Sequence, residues 1–187
     1  MGYIQELRAI IGKRPIILPG CCVFIKNVQG QILMQQRKYP YGKWGLPGGL
    51  MELGESTEDT IRREVKEETG LVLGDVTLFG VYSGKGYRCV AENGDEFDVV
   101  ITVYETSEYE GEAAVMDDES LGFEWFSAEN LPDNIAKTHT QIIRDYIARY
   151  VEITFHSENW TATKKSLPKK VGTTMQAYVN EIIKEKD

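Results

Sequence analysis

Apolar stripes and helix-end residues predict three well-separated helices within the first 150 residues of this chain. Residues 3–11 carry a short apolar stripe and predict an amphipathic helix. Residues 57–69 begin with capping hydroxyl and acidic side chains and are followed by Gly70, which are the usual signs of a helix start and stop. Residues 134–150 carry a longer stripe of isoleucines and tyrosines, which predicts a second long helix.

Between these stretches the pattern shortens to runs of apolar and β-branched residues separated by turn residues, which predict strands. The predicted strand segments are 21–26, 32–37, 72–82, 87–92, 97–106 and 122–126. We expect the first two to form a hairpin across a Gln-Gly turn, and the fourth and fifth to form another across an Asn-Gly-Asp turn. Strands with two well-separated long helices are typical of an α/β fold in which helices pack on a mixed sheet.

The chain changes character after about residue 152. A lysine-containing loop is predicted over residues 158–172, followed by a final helix. The apolar positions of that helix share one stripe: Met175, Tyr178, Val179 and Ile182. The stripe favours either packing on the chain's own domain or contact with a second copy in a homodimer. The predicted organisation is an N-terminal helix, a central domain and a C-terminal helical extension: residues 1–13, 14–151 and 152–187.

Length and composition describe a folded protein with a core of ordinary size, since 42% of the 187 residues are hydrophobic and 27% are charged. The formal net charge is −8, so nucleic-acid backbone and anionic membrane are repelled and neither is an expected broad partner. A small anionic substrate would be repelled as well unless cations screened its site. A metal requirement would resolve that conflict.

Nothing in the sequence indicates export or membrane insertion. No apolar run is long enough to span a bilayer, and the early charges of Glu6 and Arg8 are unlike a secretion signal. We therefore expect a cytoplasmic protein with reduced cysteines. Cys21 and Cys22 are adjacent, so on a strand their side chains point to opposite faces, and Cys89 stands alone.

Three glutamates lie on one face of the helix predicted over residues 57–69. Glu64, Glu67 and Glu68 are three and four residues apart, which in isolation is typical of a solvated acidic helix face. A Pro-Gly-Gly turn precedes the helix, and glycine lets the backbone approach a ligand closely. Glu55 adds a carboxylate at the helix entrance. Clustered hard oxygen ligands suit Mg²⁺ or Mn²⁺.

The same segment resembles a long family motif. Its defining residues occur in the order G-x5-E-x7-R-E-U-x-E-E-x-G-U, where U is aliphatic: Gly49, Glu55, Arg63, Glu64, Val65, Glu67, Glu68, Gly70 and Leu71. This is similar to the complete box of the Nudix hydrolases, including their MutT-like members, with no departure at any defined position. The resemblance covers about residues 18–151. It implies an α/β/α sandwich and metal-dependent hydrolysis of a nucleoside diphosphate linked to another moiety.

The resemblance also implies a set of metal ligands. Glu64, Glu67 and Glu68 match the family's metal-binding carboxylates, and the carbonyl of Gly48 matches the usual backbone ligand. Glu119 lies in an acidic loop at about the distance before a tryptophan-containing strand where MutT-like enzymes have one more ligand. A solvated acidic loop is the alternative there. The expected cofactor is Mg²⁺ or Mn²⁺.

Catalytic roles follow from the same match. Glu64 is the first candidate for the general base, since a carboxylate can accept a proton from the attacking water. Glu55 and Arg63 match residues that brace the helix and orient the glutamates. Hydrolysis at phosphorus further requires an in-line water and neutralisation of charge on the oxygens.

The substrate side is less specific. Arg37, at the end of a strand leading to the box, is a candidate for phosphate binding because guanidinium grips phosphate in a fork. Aromatic rings near loops suit a nucleobase, although each is also explained by ordinary packing: Tyr82, Tyr87, Tyr39 and Tyr41. His139 is expected to be a capping or surface residue.

Two other functions share this pattern. A metabolite-binding regulatory protein could use the same fold without turnover, but such proteins usually lose box glutamates, and this chain keeps all of them. Isoprenoid diphosphate isomerisation needs a placed cysteine acid, for which Cys21 and Cys22 are weak support. The sequence leaves the nucleoside diphosphate derivative and the attacked phosphorus open.

Overall fold

The structure is a computed structural model that describes residues 2–128 and 130–157. Its elements in chain order are α1 (Tyr3–Ile11), β1 (Ile16–Ile25), β2 (Ile32–Arg37), β3 (Trp44–Gly45), α2 (Thr57–Thr69), β4 (Val72–Leu73), β5 (Thr77–Tyr82), a 3₁₀ turn (Lys85–Tyr87), β6 (Arg88–Val90), β7 (Glu96–Thr106), β8 (Tyr109–Glu110), β9 (Ser120–Phe126) and α3 (Lys137–Ser157). The predicted loop and final helix of the C-terminal extension lie outside the described residues.

The largest sheet is mixed. β1 runs parallel to β7, while β5 and β6 both pair with β7 in antiparallel fashion. A second, antiparallel sheet has the order β3-β2-β9, and β4 pairs with β8 in a small third one. The long β7 strand therefore organises the larger sheet, as its run of apolar and β-branched residues favours.

Alternation along β1 divides the core into two layers. Cys22 and Phe24 belong to a cluster with α3, where the Phe24 ring stacks on Tyr146 at 4.3 Å between centroids. Cys21 and Val23 point the other way, into a cluster with the apolar side of α2. Helices thus cover both faces, which confirms the predicted α/β/α sandwich and the opposite orientation of two buried, free cysteines.

The predicted hairpin between β1 and β2 is wrong. The two strands meet only at a bridge between Lys26 and Ile32, and then enter different sheets. The side-chain oxygen of Asn27 accepts hydrogen bonds from the backbone N–H groups of Gln29 and Gln31, at 3.0 and 2.9 Å. The turn is tight, since the Gly30 N–H donates to the Asn27 carbonyl at 2.9 Å, but beyond the bridge β1 pairs with β7 and β2 pairs with β9. The other predicted hairpin, between β6 and β7, is confirmed.

Helix α2 has the predicted limits because its ends carry strong local signals. Ser56 and Asp59 form a capping box, with the Asp59 N–H donating to Ser56 Oγ at 3.1 Å and the Ser56 N–H donating to Asp59 Oδ2 at 3.0 Å. Gly70 ends the helix in a left-handed conformation with a φ of 77°. These caps set the rotation of α2, so that Ile61 and Val65 are buried against β1.

Helix α3 begins later than predicted and extends further. Its expected first turn instead pairs with β3, since the Trp44 N–H donates to the Asn134 carbonyl at 3.2 Å and the Ala136 N–H donates to the Trp44 carbonyl at 2.7 Å. No glycine or proline interrupts residues 151–157, so the helix passes the predicted domain limit. Among the helices of residues 2–157, none is long and apolar enough to cross a membrane.

Candidate active site

A cleft of about 590 Å³ lies between α2, the larger sheet and the start of α3. Its acidic side is formed by carboxylates from α2 and two loops: Glu52, Glu64, Glu67, Glu68, Asp117, Asp118 and Glu119. Its apolar side is formed mainly by sheet residues: Leu50, Cys89, Phe97, Val99 and Ile101. Arg37, Thr138 and His139 add polar groups. The cleft therefore combines an apolar side with a strongly acidic side, and a concave surface with convergent polar groups is typical of a small-molecule site.

Arg63 is the centre of an ion-pair network at the base of the acidic side. Its Nε and Nη2 donate to the two carboxylate oxygens of Glu55 at 2.5 and 3.0 Å, and Nη2 also donates to the Leu50 carbonyl at 3.1 Å. Its Nη1 donates to Glu64 Oε1 at 2.9 Å and to Glu67 Oε2 at 3.1 Å. One guanidinium therefore orients two of the three helix glutamates and ties them to the chain before the helix.

Glu55 is the anchor of that network. Besides Arg63, its carboxylate accepts from the Glu52 N–H and from Thr60 Oγ1, both at 2.9 Å. Hydrogen bonding to the Arg63 guanidinium is the main reason that its pKa falls to about 2. The two residues that the sequence assigns to bracing thus lie together, and the bracing role itself stays a prediction.

We expect Glu55→Gln to lower the free energy of unfolding by about 2 kcal/mol at neutral pH, because a charged pair and its hydrogen bonds are lost. The native pKa of Glu55 is below the unfolded value, so its stabilising contribution is complete above pH 4.5 and disappears as the pH falls toward 2. The difference in the free energy of unfolding between wild type and E55Q, measured with urea, should decrease as the pH is lowered from 4.5 toward 2. A difference that stays constant would contradict this account. E58Q, which changes an exposed carboxylate of the same helix, is the control.

Two glycines allow the backbone to approach the glutamates. Gly48 has a φ of 138°, and a Cβ there would collide with the Cys21 carbonyl oxygen, so the turn cannot carry a side chain. A Cβ on Gly49 would lie 2.5 Å from the carboxyl carbon of Glu64. The Glu64 carboxylate therefore lies in close contact with the turn. Burial is the main reason that the pKa of Glu64 is raised.

Glu68 is the most deeply placed of the helix glutamates, with only 6% of its surface exposed. Its Oε2 accepts from the Gly48 N–H at 2.9 Å, and its Oε1 accepts from Gln35 Nε2 at 2.8 Å. Burial raises the pKa of Glu68 to about 7, although Arg37 and both hydrogen bonds act in the opposite direction. A cation beside this carboxylate would favour its charged form.

Glu67 and Glu119 complete the acidic side. The Glu67 side chain is 60% exposed and points into the cleft from the helix surface. Glu119 lines the cleft from the loop before β9, and its negative charge contributes to the raised pKa of Glu64. The structure therefore places the four predicted carboxylate ligands around one space, while their role as ligands stays a prediction.

The donor set fits a hard divalent ion held jointly with a ligand. Within residues 2–157, no three carboxylate, histidine or cysteine side chains already converge as a complete metal centre. The geometry explains this, because Arg63 engages Glu64 and Glu67, whereas Gln35 and Gly48 engage Glu68. Mg²⁺ is usually bound by a few carboxylates together with substrate phosphates and water. Carboxylates that share a cleft without converging on one point match that kind of site.

Arg37 lies where the sequence predicts a phosphate contact. It lines the cleft, its Nη2 donates to the Leu46 carbonyl at 3.3 Å, and its buried Nε has no hydrogen-bond partner among the described residues. It also lines a neighbouring cleft of about 380 Å³, together with Tyr39 and Glu119. A guanidinium that lines the cleft beside the acidic side suits an anionic group of a ligand.

The prediction that His139 is a capping or surface residue is wrong. Only 6% of its surface is exposed, and it lines the cleft with a buried Nε2 that has no partner among the described residues. Burial lowers the pKa of His139 to about 3, so the imidazole is neutral. The missed signal is its spacing from Ile142 and Ile143, which places it on the buried stripe of α3.

Tyr82 and Tyr87, the predicted substrate-binding tyrosines, do not line either cleft. The Tyr82 hydroxyl donates to Asp145 Oδ2 at 2.9 Å, and Tyr87 is buried in the core layer next to α3. Their rings contact each other at 6.2 Å between centroids. Their placement gives the substrate role no support; Phe97, a residue that the sequence did not single out, is the ring that lines the cleft.

Comparisons with known proteins agree with this geometry. Residues 17–146 match the family model of the NUDIX domain. The chain is 34% identical to an ADP-ribose pyrophosphatase of Methanocaldococcus jannaschii over 62% of its own length, and spans 64% of that protein. It is 29% identical to a putative 8-oxo-dGTP diphosphatase of Bacillus subtilis, covering 82% of this chain and 97% of that one.

The fold is also similar to that of a solved structure. A MutT NUDIX hydrolase from Burkholderia pseudomallei superposes with a TM-score of 0.58 and is 32% identical, covering 68% of this chain and 95% of that chain.

Proposed function

The chain belongs to the Nudix family, and on that premise we propose that it is a pyrophosphohydrolase. Its substrate would be a nucleoside diphosphate joined to a further group, and water would cleave the pyrophosphate linkage. One observation carries the proposal. Glu64, Glu67 and Glu68 lie together on the acidic side of a cleft that also has an apolar side, and Glu64 and Glu68 lie against the Gly48–Gly49 turn.

We further propose that Glu64, Glu67, Glu68, Glu119 and the Gly48 carbonyl hold Mg²⁺ or Mn²⁺. Such ions supply positive charge against the phosphate oxygens and act as Lewis acids at phosphorus. The net charge of −8 is a physical reason for the site to bind cations, since an anionic substrate would otherwise be repelled from the acidic side.

Three side chains take the remaining roles of proton transfer, orientation and phosphate binding. Glu64 accepts the proton of the attacking water, because it lines the cleft and its carboxylate lies against Gly49. Arg63 keeps Glu64 in place through the hydrogen bond at 2.9 Å. Arg37, which lines the cleft, binds a phosphate oxygen through its guanidinium.

The apolar side of the cleft suits the nucleoside. Phe97, Val99 and Ile101 of β7 form an apolar wall of the cleft, and neutral His139 lies in the same lining. A nucleobase combines an apolar face with a polar edge, so this wall accepts it while the phosphates lie toward the glutamates. The names of the two relatives make ADP-ribose and oxidised nucleoside triphosphates the first substrates to test.

The proposal is tested by an activity screen with Mg²⁺ over ADP-ribose, sugar nucleotides, dinucleoside polyphosphates and oxidised nucleoside triphosphates. We expect turnover of at least one class, release of a nucleoside monophosphate and loss of activity on chelation of the metal. Hydrolysis in isotopically labelled water locates the attacked phosphorus. Tight binding without turnover in saturating Mg²⁺ would contradict the enzyme proposal and favour a ligand sensor, and an isomeric product would favour isomerisation.

A further inference from the structure

Gln35 is a polar residue at a position where the sheet pattern calls for an apolar one. It lies on β2 two residues after Leu33, on the face that packs toward α2, and only 1% of its surface is exposed. Burying a carboxamide is costly unless its hydrogen bonds are made inside the protein. The contacts of Gln35 therefore indicate why it is there.

The amide nitrogen of Gln35 makes two short hydrogen bonds. Nε2 donates to Glu68 Oε1 at 2.8 Å and to Ser120 Oγ at 2.8 Å. The orientation of the amide is determined by chemistry, since only its N–H₂ side can face a carboxylate oxygen. This orientation leaves Gln35 Oε1 buried with no partner among the described residues. The hydrogen bonds of the amide nitrogen are thus made although the amide oxygen is left without a partner.

Through Ser120 the amide also contacts the loop that carries Glu119. The Ser120 N–H donates to Asp117 Oδ1 at 2.9 Å, and the Lys38 N–H donates to the Glu119 carbonyl at 2.8 Å. Gln35 consequently joins Glu68 of α2 to the loop of residues 117–120, which also contributes to the acidic side of the cleft. Both of its hydrogen-bonded partners are buried, so the connection excludes water.

We propose that Gln35 is a positioning residue for the metal-binding carboxylates. It fixes the orientation of the Glu68 carboxylate and holds the 117–120 loop at the distance that lets Glu119 face the same space. This inference rests on the proposed function, because it assumes that Glu68 and Glu119 bind the divalent ion. Residues that hydrogen-bond a ligating carboxylate typically change metal affinity or activity by about 10–100-fold when they are removed.

The test compares Gln35→Leu with Gln36→Leu. Gln36 is the next residue of β2, and among the described residues its side chain donates to the Gly42 carbonyl at 3.4 Å and to no member of the network, so Q36L is a matched change. Binding of Mn²⁺ is measured from the electron paramagnetic resonance signal of the free ion, and thermal unfolding is measured without metal. We expect Q35L to weaken Mn²⁺ binding about tenfold, and Q36L to leave it unchanged.

Ser120→Ala keeps the test decisive if Q35L fails to fold. It removes one of the two contacts of the Gln35 amide and should weaken Mn²⁺ binding in the same direction by a smaller factor. Wild-type Mn²⁺ affinity in folded Q35L and S120A, with only the unfolding temperature lowered, would overturn the inference and leave the proposed function intact. Absence of Mn²⁺ binding by the wild type would instead overturn both.

Discussion

Replacing Glu64 by glutamine is expected to lower kcat by about a thousandfold while the protein stays folded. The variant keeps the shape of the side chain and removes the group that accepts the proton of the attacking water, a loss typically worth about 10²–10⁴ in rate. The free energy of unfolding should change little, because loss of the Arg63–Glu64 ion pair at 2.9 Å is offset by the lower cost of burying an uncharged amide. Steady-state kinetics in saturating Mg²⁺ and urea unfolding measure the two quantities.

Glu58→Gln is the matched control for that experiment. Glu58 lies in the first turn of the same helix, is exposed and does not line the cleft, so its kcat should equal that of the wild type. A fully active E64Q enzyme would remove Glu64 from the chemistry. The remaining glutamates would then have to supply the base.

Replacing Gly49 by alanine is expected to lower kcat by about a hundredfold without unfolding the protein. The added Cβ would lie 2.5 Å from both the carboxyl carbon and Oε1 of Glu64, so the carboxylate must move away from the turn. The obstacle is the end of a flexible side chain, which makes the shift cheap in stability. A displacement of about 1 Å in a reacting group is enough to cost about 10²-fold in rate.

Gly122→Ala provides the control for the glycine change, because a Cβ there meets no heavy atom within 4 Å. It should be as active and as stable as the wild type. If G49A retained full kcat, Glu64 would not need its close approach to the turn. A loss of folding in G49A would also contradict the expectation of a local displacement.

The site helix was predictable because its signals are local. Ser56, Asp59 and Gly70 cap α2 within one turn of each end, so periodicity and capping together give both limits and the face that carries the glutamates. The family motif added the roles of the residues around it. These signals therefore predict the helix carboxylates on the acidic side of the cleft.

The rest of the cleft depends on contacts between distant parts of the chain. β1 and β7 pair in parallel although Cys21 and its partner Thr102 are about 80 residues apart, and the sequence pattern instead favoured a hairpin of β1 with β2. Phe97 and His139 come together only through that pairing and the packing of α3. Gln35 follows Leu33 on the strand face that packs toward α2, and the sequence alone does not indicate its contact with Glu68.

The most direct test of the account is Mg²⁺-dependent product release by wild type and Glu68→Gln, on the substrate that the wild type turns over fastest. We expect the wild type to release a nucleoside monophosphate and to stop doing so when the metal is chelated. The rate of release should be lower by about a hundredfold or more in E68Q, because one carboxylate of the acidic side is neutralised. Equal release by the two proteins, or release that chelation leaves unchanged, would contradict a divalent-ion site at these glutamates.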